Sequence, residues 1–147
     1  FIVCNSDNIY SVKAIKTLKL ELTFNSMIAY NSKCLDFSEE KISSFSILEI
    51  KNKFLYKIIE KPTISHIRNI TEEKFVSMNI FSFFGDQVYD YLSNCEVNQD
   101  RGEKEIATAI QNMINDRNES IKVFKICEHV PDLTYKNDID LINNFLK

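Results

Sequence analysis

Short apolar runs alternating with stretches of helical spacing predict an α/β domain. Two neighbouring β-rich runs separated by three polar residues add a hairpin insert around residues 45–60. The 147 residues are of single-domain length, and 44% hydrophobic with 27% charged residues is the composition of a globular chain with a real core.

Taken in order, Phe1 to Cys4 reads as a buried strand, with Asn5-Ser6-Asp7-Asn8 as the loop after it. Val12, Ile15 and Leu18 recur at a helical period that ends near Leu20. Met27 to Tyr30 is a second short strand. Phe45–Ile50 and Phe54–Ile59 are strands joined through Lys51-Asn52-Lys53, and Pro62 ends the pair. A polar stretch from Thr63 to Lys74 leads into the apolar run Phe75 to Phe84. Gly85-Asp86 supplies a turn and an N-cap for a helix from Gln87 to Leu92. Ile106, Ala109, Ile110, Met113 and Ile114 share one face of a stronger helix that Asp116-Arg117-Asn118 closes. Ile121 to Ile126 is another strand, and Ile139, Ile142, Phe145 and Leu146 line one side of a final helix.

The bulk properties exclude several classes. A net charge of -3 gives no basic surface for nucleic acid. No run approaches the roughly 18 apolar residues that a membrane-spanning helix needs. Cys4, Cys34, Cys95 and Cys127 form no C-x-x-C pair, so they are expected to be buried free thiols in a reducing cytoplasm. Cys127 and His129 are too isolated for zinc, with His66 the only other histidine. With only Gly85 and Gly102 in the chain, a Gly-rich phosphate loop is absent. The chain starts at Phe1 directly on an apolar run, as though a domain had been opened mid-way.

Three segments can carry chemistry. Asp7 follows an apolar strand, where open α/β sheets place ligands; it could hold Mg2+ through one oxygen, although a helix cap is the simpler account of its spacing. Glu60-Lys61-Pro62 sets a carboxylate beside an ammonium at a strand end, able to meet a sugar hydroxyl and a phosphate. In Val130-Pro131-Asp132-Leu133-Thr134-Tyr135, Asp132 could be a second acidic ligand and Thr134 a cap.

In this order the segments resemble the sugar-phosphate nucleotidyltransferases, which join a sugar 1-phosphate to a nucleoside triphosphate. Phe1 to Asn8 looks like that family's strand ending in Gly-Asp-Asn, and Ile58-Ile59-Glu60-Lys61-Pro62 like its Val-Glu-Lys-Pro. Val76 to Phe83 is similar to its Gly-Ile-Tyr-x-Phe strand, and Arg101-Gly102-Glu103-Lys104-Glu105-Ile106 to its Arg-Gly-Glu-x-Glu-Leu segment. Asp132-Leu133-Thr134-Tyr135 and Asp138 are similar to its closing Asp-x-x-x-Pro-x-Asp-Leu.

The resemblance implies a partial Rossmann-like (GT-A-like) mixed sheet flanked by helices. Residues 1–147 would be the C-terminal part of one nucleotidyltransferase domain whose nucleotide-binding part lies upstream. It implies Mg2+ on Asp7 and Asp132, and Glu60, Lys61 and Asn79 on the sugar phosphate. The partners implied are a sugar 1-phosphate and a nucleoside triphosphate, without nucleic acid or membrane, and a homo-oligomer is compatible with it. Ser6, Ser46 and Asn79 stand where the family has glycines, Ala107 where it has threonine, and Lys136 or Asn137 where it has proline. The Gly-x-Gly-Thr-Arg-Leu-x-Pro signature is absent. The isolated chain is therefore expected to be inactive, and a non-catalytic binding module is the alternative.

Overall fold

The computed structural model describes residues 1–99, 102–116, 120–134 and 138–145. Arg101, Arg117, Asn118, Tyr135, Lys136, Asn137 and Leu146, which entered the reading above, lie outside them. The order of elements begins β1 (Ile2–Cys4), α1 (Val12–Leu20), β2 (Asn25–Asn31), α2 (Glu39–Ser43), β3 (Ser46–Lys51) and β4 (Phe54–Ile59). It continues α3 (Ile64–Asn69), β5 (Phe75–Ser82), α4 (Gln87–Asn94), β6 (Val97–Asn98) and β7 (Glu103–Lys104). The last three are α5 (Ile106–Asn115), β8 (Ile121–Ile126) and α6 (Asp138–Phe145).

Six strands form one mixed sheet in the order β1-β5-β2-β8-β4-β3, as the α/β expectation requires. β2 runs parallel to β8, whereas β5 is antiparallel to both β2 and β1. Consequently β1, β2 and β8 all point the same way, and the segments that follow them leave one end of the sheet together. Helices cover both faces, which the side-chain alternation of β2 makes visible. Met27 and Ala29 face a core that includes Val88, Ile110 and Met113 of α4 and α5. Ile28 and Tyr30 face a second core that includes Ala14, Leu18, Ile42 and Ile67 of α1, α2 and α3.

The hairpin forms where expected, on a two-residue turn with Asn52 at φ 52° and Lys53 at φ 70°. It is an integral part of the sheet rather than an appendage. β3 pairs with Phe75–Ser77 of β5, and β4 touches β8 through Phe54 opposite Lys122.

Several expectations need correction. β1 is an edge strand that ends on an exposed Cys4, not a buried one. In α1 the apolar period holds only at Leu18, which is buried together with Ala14, while Val12 is 67% exposed and Ile15 is exposed as well. α2, α3 and the β6–β7 ribbon escaped notice because each element is only two to six residues long, too short for a periodic signal. Asp86 precedes α4 without making a side-chain cap bond.

The largest correction concerns sulfur. Cys34 and Cys127 are joined in a disulfide across 93 residues of sequence. They follow the parallel neighbours β2 and β8 at the same end of the sheet, and no sequence spacing reports that proximity. The free-thiol argument for a reducing compartment therefore fails for this pair. Cys4 and Cys95 remain thiols. Among the described residues, no helix is long and apolar enough to cross a membrane.

Glu21 ends α1 and holds the next turn, accepting from the backbone N–H groups of Thr23 (2.8 Å) and Phe24 (3.2 Å) and from Lys122 Nζ (2.6 Å). The Lys122 hydrogen bond, followed by the Thr23 amide, lowers its pKa below the ordinary 4.5. A lowered folded-state pKa means that its stabilisation is complete above the unfolded value and fades as pH falls through the folded one. Glu21→Gln is therefore expected to flatten the acid limb of stability below about pH 4.5, which urea titrations between pH 3 and 6 would measure.

Candidate functional site

The segments that leave β1, β2 and β8 meet at one end of the sheet. After β1 the chain turns through Ser6 and Asp7, and after β8 it continues through Glu128 to Pro131-Asp132. The two stretches zip together: Asn8 bridges Asp132, Ile9 N donates to Pro131 O (3.0 Å) and Leu133 N donates to Asp7 O (2.8 Å). Asp7 and Asp132, 125 positions apart in sequence, thus stand on adjoining backbone. Asp7 is exposed.

Asp132 has a 5% exposed side chain and is held on both oxygens. Oδ1 accepts from Asn8 Nδ2 (3.0 Å), and Oδ2 accepts from Thr134 Oγ1 (2.6 Å). Oδ2 also forms an ion pair with Lys41 Nζ, which donates to Thr134 Oγ1 at 3.2 Å. Lys41 comes from α2, a five-residue helix capped by the Ser38 side chain. Its ammonium lies 5.5 Å from the Phe45 ring centroid and 5.9 Å from that of Phe37.

Tyr10 connects this pair to the middle of the sheet. Its hydroxyl donates to Met78 O (2.5 Å), accepts from Asn5 N (3.2 Å) and lies 3.2 Å from Asn8 Oδ1. Burial, the leading cause, pushes the phenol pKa well above its usual value, so Tyr10 stays a donor throughout the physiological range.

Met78 begins an irregularity in β5. The β2–β5 register shifts between Met27 and Ala29, and Asn79 sits in the shifted stretch at φ 52°. A left-handed residue there explains why glycine suits this position, and Asn is among the few other residues that adopt it readily. Asn79 N donates to Ser77 Oγ (3.2 Å), and Ser77 Oγ donates to Asn79 Oδ1 (3.3 Å). Asn79→Ala is expected to lose about 1–2 kcal/mol from backbone strain and the missing bond, whereas Asn79→Gly should stay near wild type in thermal unfolding.

Ser77 is paired in register with Ser46 of β3, whose buried hydroxyl donates to Glu60 Oε2. Glu60 and Lys61 follow β4, both exposed, with Lys61 at φ 43°. A continuous line therefore runs from Asp132 through Asn8, Tyr10, Met78–Asn79, Ser77 and Ser46 to Glu60. Of the five residues singled out in the sequence, Asp132, Asn79 and Glu60 lie on it, Asp7 adjoins it, and Lys61 is one residue beyond Glu60.

Sequence reasoning missed Asn8, Tyr10, Ser77 and Lys41. Asn8 lay in the flagged loop and Tyr10 two residues past it, so their neighbourhood was a usable signal. Lys41 had none, because it reaches the site from an element without apolar periodicity. Gly102-Glu103-Lys104 enters the small β6–β7 ribbon ahead of α5.

The donor set suits a hard cation. Mg2+ takes oxygen ligands and keeps much of its shell as water and substrate phosphate, so one or two carboxylates suffice. Asp132 already sits against a positive charge, the Lys41 ammonium. Among the described residues no group of three or more His, Cys, Asp or Glu could form a closed metal cage.

No family model matches the sequence, and no curated protein matches it. Solved structures do. A UDP-glucose pyrophosphorylase complexed with UDP-glucose aligns over 99% of this chain and 56% of its own at TM-score 0.66 and 14% identity. A protein from Bacillus anthracis described as a glucose-1-phosphate thymidylyltransferase, in complex with sucrose, aligns over 98% and 53% at 0.63 and 18%. The inositol-1-phosphate CTP transferase from T. maritima aligns over 94% and 50% at 0.61 and 16%. At these identities the likeness establishes the fold, which is that of the sugar-phosphate nucleotidyltransferases. The chain spans about half the length of the solved structures it matches.

Proposed function

We propose that this chain carries the metal and sugar-phosphate side of a nucleotidyltransferase, which moves a nucleoside monophosphate from a nucleoside triphosphate onto a sugar 1-phosphate and releases pyrophosphate. The observation that carries the reading is the chain of contacts joining Asp132 to Glu60, made of side-chain hydrogen bonds, the Met78–Asn79 backbone and the Ser77–Ser46 strand pairing, beside the carboxyl ends of three parallel strands, the place where α/β sheets take ligands. The shared fold supports it, because its solved examples include complexes with UTP and with UDP-glucose.

In such a reaction a sugar-phosphate oxygen attacks the α-phosphate in line, and no protein nucleophile is needed. The protein contributes position and charge. Glu60, oriented by Ser46, would accept hydrogen bonds from sugar hydroxyls, and Lys61 would meet the phosphate. The side-chain amide of Asn79 would reach the sugar from the irregular turn of β5. Asp7 and Asp132 would hold Mg2+. A bound Mg2+ would neutralise charge on the phosphates.

A second reading is a binding module that keeps the fold without turnover. Asn79, a side chain where glycine would leave space, favours it. Pyrophosphate release by the full-length protein, assayed with Mg2+ and panels of nucleoside triphosphates and sugar 1-phosphates, separates the two. Release that requires Mg2+ supports the enzyme. Saturable binding of a sugar 1-phosphate without release supports the module. In the enzyme, Glu60→Gln is expected to raise KM for the sugar phosphate about tenfold, the cost of one charged hydrogen bond.

A further inference from the structure

Lys41 has no part in the reaction outlined above, yet it touches the residue at the centre of the proposed metal site. Its ammonium forms the ion pair with Asp132 Oδ2, the oxygen that Thr134 also reaches. The other oxygen is taken by Asn8. A divalent cation approaching Asp132 therefore meets an existing cation on one oxygen and an amide on the other. Amides are neutral and can remain in place, but two cations cannot share one carboxylate oxygen without strong repulsion.

The surroundings of Lys41 allow it to move. Its side chain is 26% exposed, so leaving Asp132 returns the ammonium toward water rather than stranding it in a dry core. The Phe45 and Phe37 rings at 5.5 and 5.9 Å offer a second favourable contact for the displaced charge. α2, which carries Lys41, is a single short helix on the outer layer of the sheet, with Ile42 as its buried residue.

We propose that Lys41 is a built-in counter-ion for Asp132: it neutralises the buried carboxylate while the site lacks metal, and a divalent cation binds by displacing it. This rests on the assignment of Asp132 as a metal ligand. Lys41 thereby sets the metal affinity of the site, weakening it relative to a bare carboxylate pair. The displaced ammonium stays beside the site, where it adds positive charge for an incoming phosphate. It is a positioning residue, acting through Asp132.

The test is Mn2+ affinity of the full chain, read at pH 7.5 by the loss of the free-ion electron paramagnetic resonance signal. Lys41→Met is expected to tighten Mn2+ binding about tenfold, whereas Lys41→Arg, which keeps the charge, should leave it at or below the wild-type value. Asp132→Asn should abolish binding in either background. Equal affinity in wild type and Lys41→Met overturns the counter-ion while leaving the metal site intact. No binding in either overturns the metal assignment, and the counter-ion role with it. Should Lys41→Met fail to fold, the wild-type chain still decides the matter. In a Mg2+ titration followed by NMR of lysine side chains, the Lys41 Cε and Nζ signals, assigned by their loss in Lys41→Arg, are expected to shift as the ion pair breaks. Signals unmoved at saturating Mg2+ overturn the proposal.

Discussion

Asp132→Ala is expected to reduce Mg2+-dependent pyrophosphate release by the full-length protein at least about a thousandfold, because it would remove one of the two carboxylates proposed to hold the metal. The same change removes the acceptor of the Asn8 amide and the Thr134 hydroxyl and the ion-pair partner of Lys41, which keeps its bond to Thr134. Asn8 and Lys41 are partly open to water and Thr134 is exposed, so the structural loss should be limited to about 1–3 kcal/mol. Asp132→Asn separates the two effects. It retains the shape and a carbonyl acceptor, so its melting temperature should lie closer to wild type while its activity falls as far. Turnover preserved in Asp132→Asn would remove Asp132 from the metal.

Breaking the Cys34–Cys127 disulfide is expected to lower stability by about 2–5 kcal/mol, the usual cost of removing a native cross-link that closes a long loop. Because its cysteines are 93 positions apart, reduction frees most of the chain in the unfolded state. The comparison is urea unfolding of the oxidised chain, of the reduced chain and of Cys34→Ser/Cys127→Ser. Coincident midpoints for all three would show that the bond does not contribute. The cross-link also lies close to the site. Leu35, next to Cys34, accepts from the His129 ring through its carbonyl, and Asp132 follows Cys127 by five residues. Chain loosened there is chain that carries Asp132, so the double variant is also expected to bind Mn2+ more weakly.

Much of the frame was legible before any coordinates. β8 begins and ends where its apolar run does, and the hairpin turns at Asn52-Lys53, because a short buried strand and a tight two-residue turn are both local in sequence. α5 was equally plain. Ala109, Ile110 and Met113 are fully buried on the face that the spacing selects. α1 misled because exposed Val12 and buried Ala14 reverse the usual order of size: an alanine packs closely against the sheet, and a valine faces outward.

The site divides in the same way. Asp7, Glu60, Lys61 and Asp132 could be named from residue type and position along the chain, and Asn79 only through the family resemblance. Taken alone, Asp7 read more simply as a helix cap. In the fold it is Ser11, not Asp7, whose side chain caps α1, and Asp7 instead stands on backbone bonded to the Asp132 segment.

By itself the sequence determined the α/β class, the positions of its long elements and the acidic and basic residues that could carry chemistry. These depend on periodicity and side-chain type, which are properties of neighbours along the chain. Only the tertiary structure decided that Lys41 pairs with Asp132, that Cys34 meets Cys127 and that Tyr10 bonds the irregular turn of β5. Those contacts exist because β1, β2 and β8 run parallel and deliver their following segments to one end of the sheet. Strand order and direction are set by packing the whole chain, and no local pattern encodes them.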